Sequence, residues 1–341
     1  MNIAYFIVAK SIGGIETYLK NIKDADSSFY ISHEAKNYYE TNISKNLFFI
    51  EFTSLKGIMD LIKNRTSIVS LDIIHANDLI TFFYAYIVLR FLNKRLKIIV
   101  TIHSVFSEHR IFMPTVQKLL IHIFSKLAMH SSVKIIAVSK YCKKDLIKLG
   151  ISEKKINVVY HGVVFPENVK GVCQPKNYAF VGRLSFEKGI DVFLGMVDKI
   201  STFQPLVIGR PAIWNDLEDY KHNYPNVMFL GQIDNLDDIY KKTDVVCITS
   251  RTESFCFVLL EALSRQKIVY SVSLPIVNEL LESTPKLRAL VVCSDSNIMA
   301  EKITEVDVDA WNDAYDTEYR ILKEKYSLKE CVYKTRCLYD K

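Results

Sequence analysis

The chain has seven cysteines in 341 residues, and no two of them form a C-x-x-C pair. An odd count with no spacing pattern argues against a disulfide framework and for reduced thiols in a reducing compartment. A structural zinc site is not expected either, because the histidines do not repeat at metal-ligand spacing. No hydrophobic run is long enough to span a membrane. The longest, LITFFYAYIVL (79–89), has about half the required length and reads as a buried helix. The opening NIAYFIVAK has no basic segment before it and ends at Lys10, too early for a signal peptide; it reads as an edge-to-core strand. These absences lead us to expect a cytoplasmic protein. There is no G-x-G-x-x-G, so a dinucleotide site of the usual kind is not expected. The basic residues lack interleaved aromatic motifs, which argues against nucleic acid as a partner.

Hydrophobic residues make up 49% and charged residues 24%, enough apolar material for two cores. Charge is uneven. Residues 1–165 hold 22 Lys and Arg against 12 Asp and Glu, and the remainder holds 22 against 26. A basic first half has two readings: a site for an anionic partner, such as a membrane surface or phospholipid-linked substrate, or an ordinary solvated surface.

Short β-rich runs alternate with helical stretches. Strands are predicted at 3–8, 29–32, 47–50, 72–76, 97–102 and 134–139, then at 156–160, 177–182, 205–209, 226–230, 244–249, 267–272 and 289–293. Several are continuous apolar runs, which marks strands covered by helices on both faces and hence parallel sheets. The alternation predicts an α/β fold of two doubly wound domains. HGVVFPENVKGVCQPK (161–176), with two prolines and two glycines, reads as the linker. The expected domains are 1–165, 166–325 and a closing helix, 326–341, returning to the first. In such folds ligands sit at the carboxyl ends of strands, here expected in a cleft between the domains.

Three segments carry candidate chemistry. FVGRLSFEKGID (180–191) places Arg183 and Lys188 around a strand-to-helix turn, which suits a diphosphate or is simply a turn with two surface cations. KSIGGIETYL (10–19) puts Gly13 and Gly14 after the first strand, as a ligand approach or an ordinary turn. TESFCFVLLEAL (252–263) brackets an apolar stretch with Glu253 and Glu261. The helix is expected to begin near Phe255, with Glu253 in the preceding loop. Glu261 falls within the first turns, where the helix dipole favours a carboxylate able to accept from vicinal hydroxyls of a sugar or ribose.

Taken in order, GGIE, FVGRLSFEKGID, GQIDNLDDIYKKTDVVCITS (231–250) and ESFCFVLLE resemble the retaining glycosyltransferases of family 4, and NVVYHGV (157–163) resembles that family's linker entrance. The resemblance implies the two-domain GT-B fold and transfer of a sugar from a nucleoside-diphosphate sugar, with retention, to a glycan or lipid-linked glycan in bacterial surface polysaccharide synthesis. It implies that Arg183 and Lys188 hold the diphosphate, Glu261 the ribose hydroxyls and Glu253 the donor sugar. Gly13 and Gly14 would let the first domain close on the phosphates. Phe255 and Cys256 would belong to the donor site. His103, in TIHSVF, would face the donor sugar; on its own it reads as a plain loop histidine. No metal and no cofactor beyond the donor is implied. The chain departs from the family where Cys256 replaces a usual glycine, where Gln266, Lys267 and Ile268 replace Gly-x-Pro, and where Ser273, Leu274 and Pro275 replace a glycine pair. A GT-B phosphorylase, a sugar-nucleotide epimerase and a non-catalytic binding protein are the alternatives.

One further segment bears on partners. In IFMPTVQKLLIHIFSKLAMHS (111–131), Leu119, Leu120, Ile123, Phe124 and Leu127 share one predicted face, and Lys118, His122 and Lys126 another. With Arg110, Lys134 and NKRLK (93–97), this reads as a peripheral contact with an anionic bilayer or as an amphipathic helix packed on its own sheet.

Overall fold

The structure, a computed structural model, describes residues 1–8, 18–19, 22–23, 27–32, 46–52, 54, 56–106, 115–167, 169, 171–211 and 217–340. Gly13 and Gly14 lie outside the described residues. The chain divides into two units, one of residues 1–162 with 331–341 and the other of residues 163–330.

The first unit holds a seven-stranded parallel sheet in the order β3-β2-β1-β4-β5-β6-β7. Its strands are β1 Ile3–Ile7, β2 Ser28–Ile31, β3 Leu47–Phe49, β4 Ile73–Ala76, β5 Lys97–Ile102, β6 Val133–Ala137 and β7 Ile156–Val158. The second unit holds a six-stranded parallel sheet in the order β10-β9-β8-β11-β12-β13. Its strands are β8 Asn177–Val181, β9 Gln204–Ile208, β10 Met228–Gly231, β11 Val245–Ile248, β12 Ile268–Val272 and β13 Val292–Cys293. The continuous apolar runs are thus parallel strands with helical connections, as the pattern predicts.

Three expectations are corrected. β1 is an interior strand between β2 and β4, with every residue buried. The predicted strand 289–293 is mostly helix: Pro285 opens helix Pro285–Val291, and Leu287 and Val291, one turn apart, bury its inner face. Proline at the first helical turn and this four-residue spacing outweigh the β-branched run. The run 79–89 forms helix Leu79–Ile87 and continues into a π-helical turn, Val88–Leu92. It is buried on one side only, through Phe82, Ala85, Val88 and Leu89. Among the described residues, no helix is long and apolar enough to cross a membrane.

Residues 331–340 of the closing helix Leu328–Asp340 belong to the first unit. Cys331, Leu338 and Tyr339 pack into a core with Tyr5, Phe29 and Ile73. The Tyr339 hydroxyl shares hydrogen bonds with His75 Nδ1 at 2.7 Å and with the Tyr5 hydroxyl at 3.3 Å. His75 Nε2 is 2.7 Å from Thr101 Oγ1. A fully buried imidazole bonded on both sides to hydroxyls has no counter-ion. Burial, helped by neighbouring His103, pushes its pKa down to about 3.

An unfolded histidine titrates near 6.5. Below that pH the unfolded chain takes up a proton that folded His75 refuses, so stability present above pH 6.5 is lost as the pH falls towards 3. His75→Gln should be less stable than the parent at pH 7.5. The gap should then narrow below pH 6.5 by up to about 1.4 kcal/mol per pH unit in chemical denaturation. A gap independent of pH would mean that the folded imidazole titrates normally.

Candidate functional site

The second unit's sheet reverses direction beside β8. The chain lays β9 and β10 on one side of it, then β11 to β13 on the other. β8 and β11 pair directly, so the loops that follow them lie together at the carboxyl edge, where open parallel sheets form ligand crevices. The loop after β8 carries Arg183 and Lys188, and the loop after β11 carries Glu253.

Glycines allow these loops to close. Gly189 has φ 70°, and a Cβ there would lie 2.0 Å from the Thr249 carbonyl oxygen. Thr249 Oγ1 donates in return to the Gly189 carbonyl at 2.8 Å. On the other side of β8, a Cβ on Gly209 would lie 1.8 Å from the Gly182 carbonyl oxygen. The Leu184 amide donates to the Arg210 carbonyl at 2.9 Å.

Lys188 Nζ lies 2.6 Å from Glu253 Oε1, which also accepts from Ser250 Oγ at 2.9 Å. Arg251, which the sequence reading passed over, ties the two loops together. Its guanidinium donates to both oxygens of Asp191, at 2.8 and 2.7 Å, and to the Phe186 carbonyl at 2.6 Å. It also stacks on the Phe186 ring, 3.6 Å from the centroid. These bonds hold the Asp191 carboxyl below the usual carboxylate range. Such a bidentate pair with a stacked face suits arginine and not lysine. Arg183 is exposed, and neither it nor Arg210 on the adjoining loop has an ion-pair partner among the described residues.

The helix spans Phe257–Leu263, so the Glu261 carboxylate stands in its second turn, and it is buried. The Tyr240 hydroxyl donates to Oε2 at 3.2 Å. Burial raises the carboxyl pKa, opposed by that bond and by the Arg265 charge, so desolvation outweighs any help from the helix dipole. Arg265 itself is pinned by Asp237 at 2.7 Å and donates to the Glu261 carbonyl at 3.2 Å. Phe255 and Cys256 are both buried. Phe255 packs edge-on against Phe257.

In the first unit, His103 follows β5. Its Nδ1 lies 3.2 Å from His161 Nε2, with the rings stacked at 5.1 Å. Burial pushes the His103 pKa down to about 3, so the pair is neutral and one imidazole donates to the other. His161, within the predicted linker entrance, was not singled out; only its distance from His103 in space reveals it. His103 borders a cavity of about 430 Å³ lined also by Asn77, Asp78, Ile80, Phe106 and Leu120. The buried Asn77 Oδ1 has no hydrogen-bond partner among the described residues. Asp78 accepts from the Thr81 and Val8 amides at 2.8 and 3.3 Å, and burial raises its pKa.

The sequence matches the Glycosyltransferase Family 4 model over residues 33–164 and the Glycosyl transferases group 1 model over residues 175–307. An uncharacterized glycosyltransferase of Methanocaldococcus jannaschii is 26% identical over 96% of this chain and 95% of its own length. The gpi3 subunit of phosphatidylinositol N-acetylglucosaminyltransferase from Schizosaccharomyces pombe is 23% identical over 85% of this chain and 65% of its own. Among solved structures, Anabaena HepE in complex with UDP and glucose superposes with a TM-score of 0.83 at 17% identity, covering 100% of this chain and 99% of that one. Sucrose-phosphate synthase from Thermosynechococcus elongatus gives 0.79 at 15% identity, covering 99% and 98%. At these identities the two structures speak for the fold, which is GT-B.

Cys256 and Gln266, where the family usually has glycine, have φ 62° and 50°. Each forces a Cβ into the left-handed region, at about 1–2 kcal/mol. Gln266→Gly should therefore raise stability by about 1 kcal/mol, after allowing for the freer unfolded chain. Gly189→Ala should lower it by at least about 2 kcal/mol, since the new methyl meets a backbone carbonyl. Equilibrium denaturation of the two variants reads the opposite signs directly.

Proposed function

The chain belongs to the family 4 glycosyltransferases, and from that premise we propose that it moves a sugar from a nucleoside-diphosphate sugar to a hydroxyl of a glycan or lipid-linked glycan. We assign retention at the anomeric carbon and a role in assembling a surface polysaccharide. The observation that carries this reading is the reversal of the second sheet, where the loop after β8, with exposed Arg183 and with Lys188, lies beside the loop after β11 and Lys188 pairs with Glu253. Support for a nucleotide-sugar donor comes from the HepE structures, which are complexes with UDP and with UDP-glucose.

In this reaction the bond from the anomeric carbon to the diphosphate breaks and a bond to the acceptor oxygen forms. The transition state has oxocarbenium character, and the leaving group gathers negative charge. Arg183 and Lys188 are the side chains suited to that charge, an electrostatic contribution made without a metal ion. Lys188 has three N–H donors. Glu253 takes one, and the others are left for phosphate oxygens. Glu253 is itself held through one oxygen by Lys188 and Ser250, and its second oxygen is assigned to a donor-sugar hydroxyl. Glu261 is assigned the ribose hydroxyls, with Tyr240 fixing its orientation. Neutral His103 offers the donor sugar a hydrogen bond and no charge. Phe255 and Cys256 are assigned to the donor site beside them.

Arg183→Ala and Lys188→Ala should each lower kcat/KM about 10²-fold or more, the loss expected when one charge-stabilising donor is removed. Full activity in both variants would overturn the phosphate assignment. Turnover should persist in excess chelator. Loss of activity restored by magnesium or manganese would contradict a metal-free mechanism. The anomeric configuration of the product, read by NMR, decides retention.

A further inference from the structure

Three helical segments of the first unit lie side by side: Lys56–Lys63 with Arg65–Val69, Leu79–Leu92, and Thr115–Leu127. The central segment touches both neighbours. Tyr84 donates to the Ser54 carbonyl at 2.8 Å and crowds Gly57, while Phe82 stacks edge-on with Phe124 at 4.9 Å. Their outer surface is apolar in a way that a solvated face is not. On the central segment Ile80, Tyr84, Ile87 and Phe91 follow at steps of four, three and four, and Phe91 is 80% exposed. Met59 and Ile62 are exposed on one side, at 60% and 54%, and Leu119, at 57%, with Ile123 on the other. Leu119 and Ile123 stand on the outer surface of their helix beside Lys118, His122 and Lys126. Phe124, with Ile121, fills the inner face instead.

Positive charge predominates on this surface. The central segment and the turn after it carry Arg90, Lys94, Arg95 and Lys97, all exposed, and no acid. Helix Thr115–Leu127 carries Lys118 and Lys126 and no acid. The remaining segment carries Lys56, Lys63 and Arg65 with one acid, Asp60, which is buried. Exposed apolar side chains among cations, with Glu51 near Tyr84 and Asp72 beside Lys97 as acids at the edge, complement an anionic lipid surface: the apolar groups enter the headgroup boundary and the cations meet the phosphates. We propose that this three-helix face docks on an anionic bilayer. It lies on the surface and does not cross it. Ile80 and Leu120 also line the cavity beside His103, so apolar surface runs from the docking face to the carboxyl end of β5. That path suits an acceptor drawn from the bilayer, and in this respect the inference deepens the proposed transfer to a lipid-linked acceptor.

Vesicle co-sedimentation tests the docking without any sugar nucleotide, so a failed donor assignment would leave it readable. The intact chain should partition at least tenfold more strongly onto vesicles containing phosphatidylglycerol than onto pure phosphatidylcholine, and less as salt rises from 0.05 to 0.5 M, since screening shortens the reach of surface charge. Charge reversal by Arg90→Glu, Lys94→Glu and Arg95→Glu together should reduce binding at least tenfold. Phe91→Ser with Leu119→Ser, which keeps every charge, should reduce it at least threefold. Lys144→Glu with Lys148→Glu, exposed cations of helix Lys140–Lys148 elsewhere in the same unit, should change it less than twofold. No binding to anionic vesicles, or equal losses in the two charge-reversal variants, would overturn the proposal.

Discussion

The close approach of Gly189 to the Thr249 carbonyl sets the geometry on which the candidate site depends. At that separation only a residue without Cβ fits. The fit draws the loop after β8 against the loop after β11, and the other cross-loop contacts become reachable because of it. Lys188 precedes Gly189, and Glu253 lies four residues beyond Thr249; their 2.6 Å contact follows from the two loops being in register. Arg251, between them, then closes on Asp191 and on the carbonyl of Phe186. A flexible ion pair alone would not hold this arrangement, since partly exposed pairs contribute only about 0–1 kcal/mol each. The backbone contact fixes position, and the charges are tuned within it.

The two units handle titratable groups in opposite ways. In the first, His75, His103 and His161 are buried among one another and among tyrosines, and burial keeps all three neutral. Hydrogen-bonding capacity is kept there and charge is excluded. In the second, Lys188, Arg251 and Arg265 each face a carboxylate across a short bond. A group that must answer a developing negative charge needs a retained charge, and a group that only orients a sugar hydroxyl does not. The proposed roles of His103 and Lys188 are consistent with this difference in burial and pairing.

Much of the fold was legible because parallel strands buried on both faces write themselves as uninterrupted apolar runs. The helix at Pro285–Val291 was not, because a short apolar run of β-branched residues has no period of its own and the deciding signal was the proline four positions earlier. Of the site, the residue types were legible and their pairings were not. Arg183, Lys188, Glu253 and Glu261 stood out by their place after strands. That Lys188 meets Glu253 sixty-five positions away, or Arg251 meets Asp191 sixty away, depends on β8 and β11 being neighbours in space though not in sequence. The same holds for His161, which lies fifty-eight positions from His103. The exposed side of the helix formed by 79–89 was not legible for a related reason. An apolar helix in sequence reads as buried, and only the packing shows which of its sides the sheet leaves uncovered.

The departures from the family pattern are not equivalent, and the backbone separates them. At 273–275 Leu274 is extended and Pro275 opens helix Pro275–Leu280, so no residue there needs a left-handed conformation. Proline at that first helical position is preorganised, and the loss of a glycine pair costs nothing in strain. At Cys256 and Gln266 the left-handed backbone is retained although the glycine is gone. A conformation that persists against its own side chain is imposed by its surroundings. Cys256 precedes the helix that carries Glu261 and lies close to Lys188 and Glu253, whose charges act on its thiol. The strained turn there thus starts the helix next to the loop that carries Glu253. The one at Gln266 ends the same helix and returns the chain to β12. The geometry at both ends of the Glu261 helix is therefore dictated by the sheet it joins, and the residues occupying those ends adapt to it.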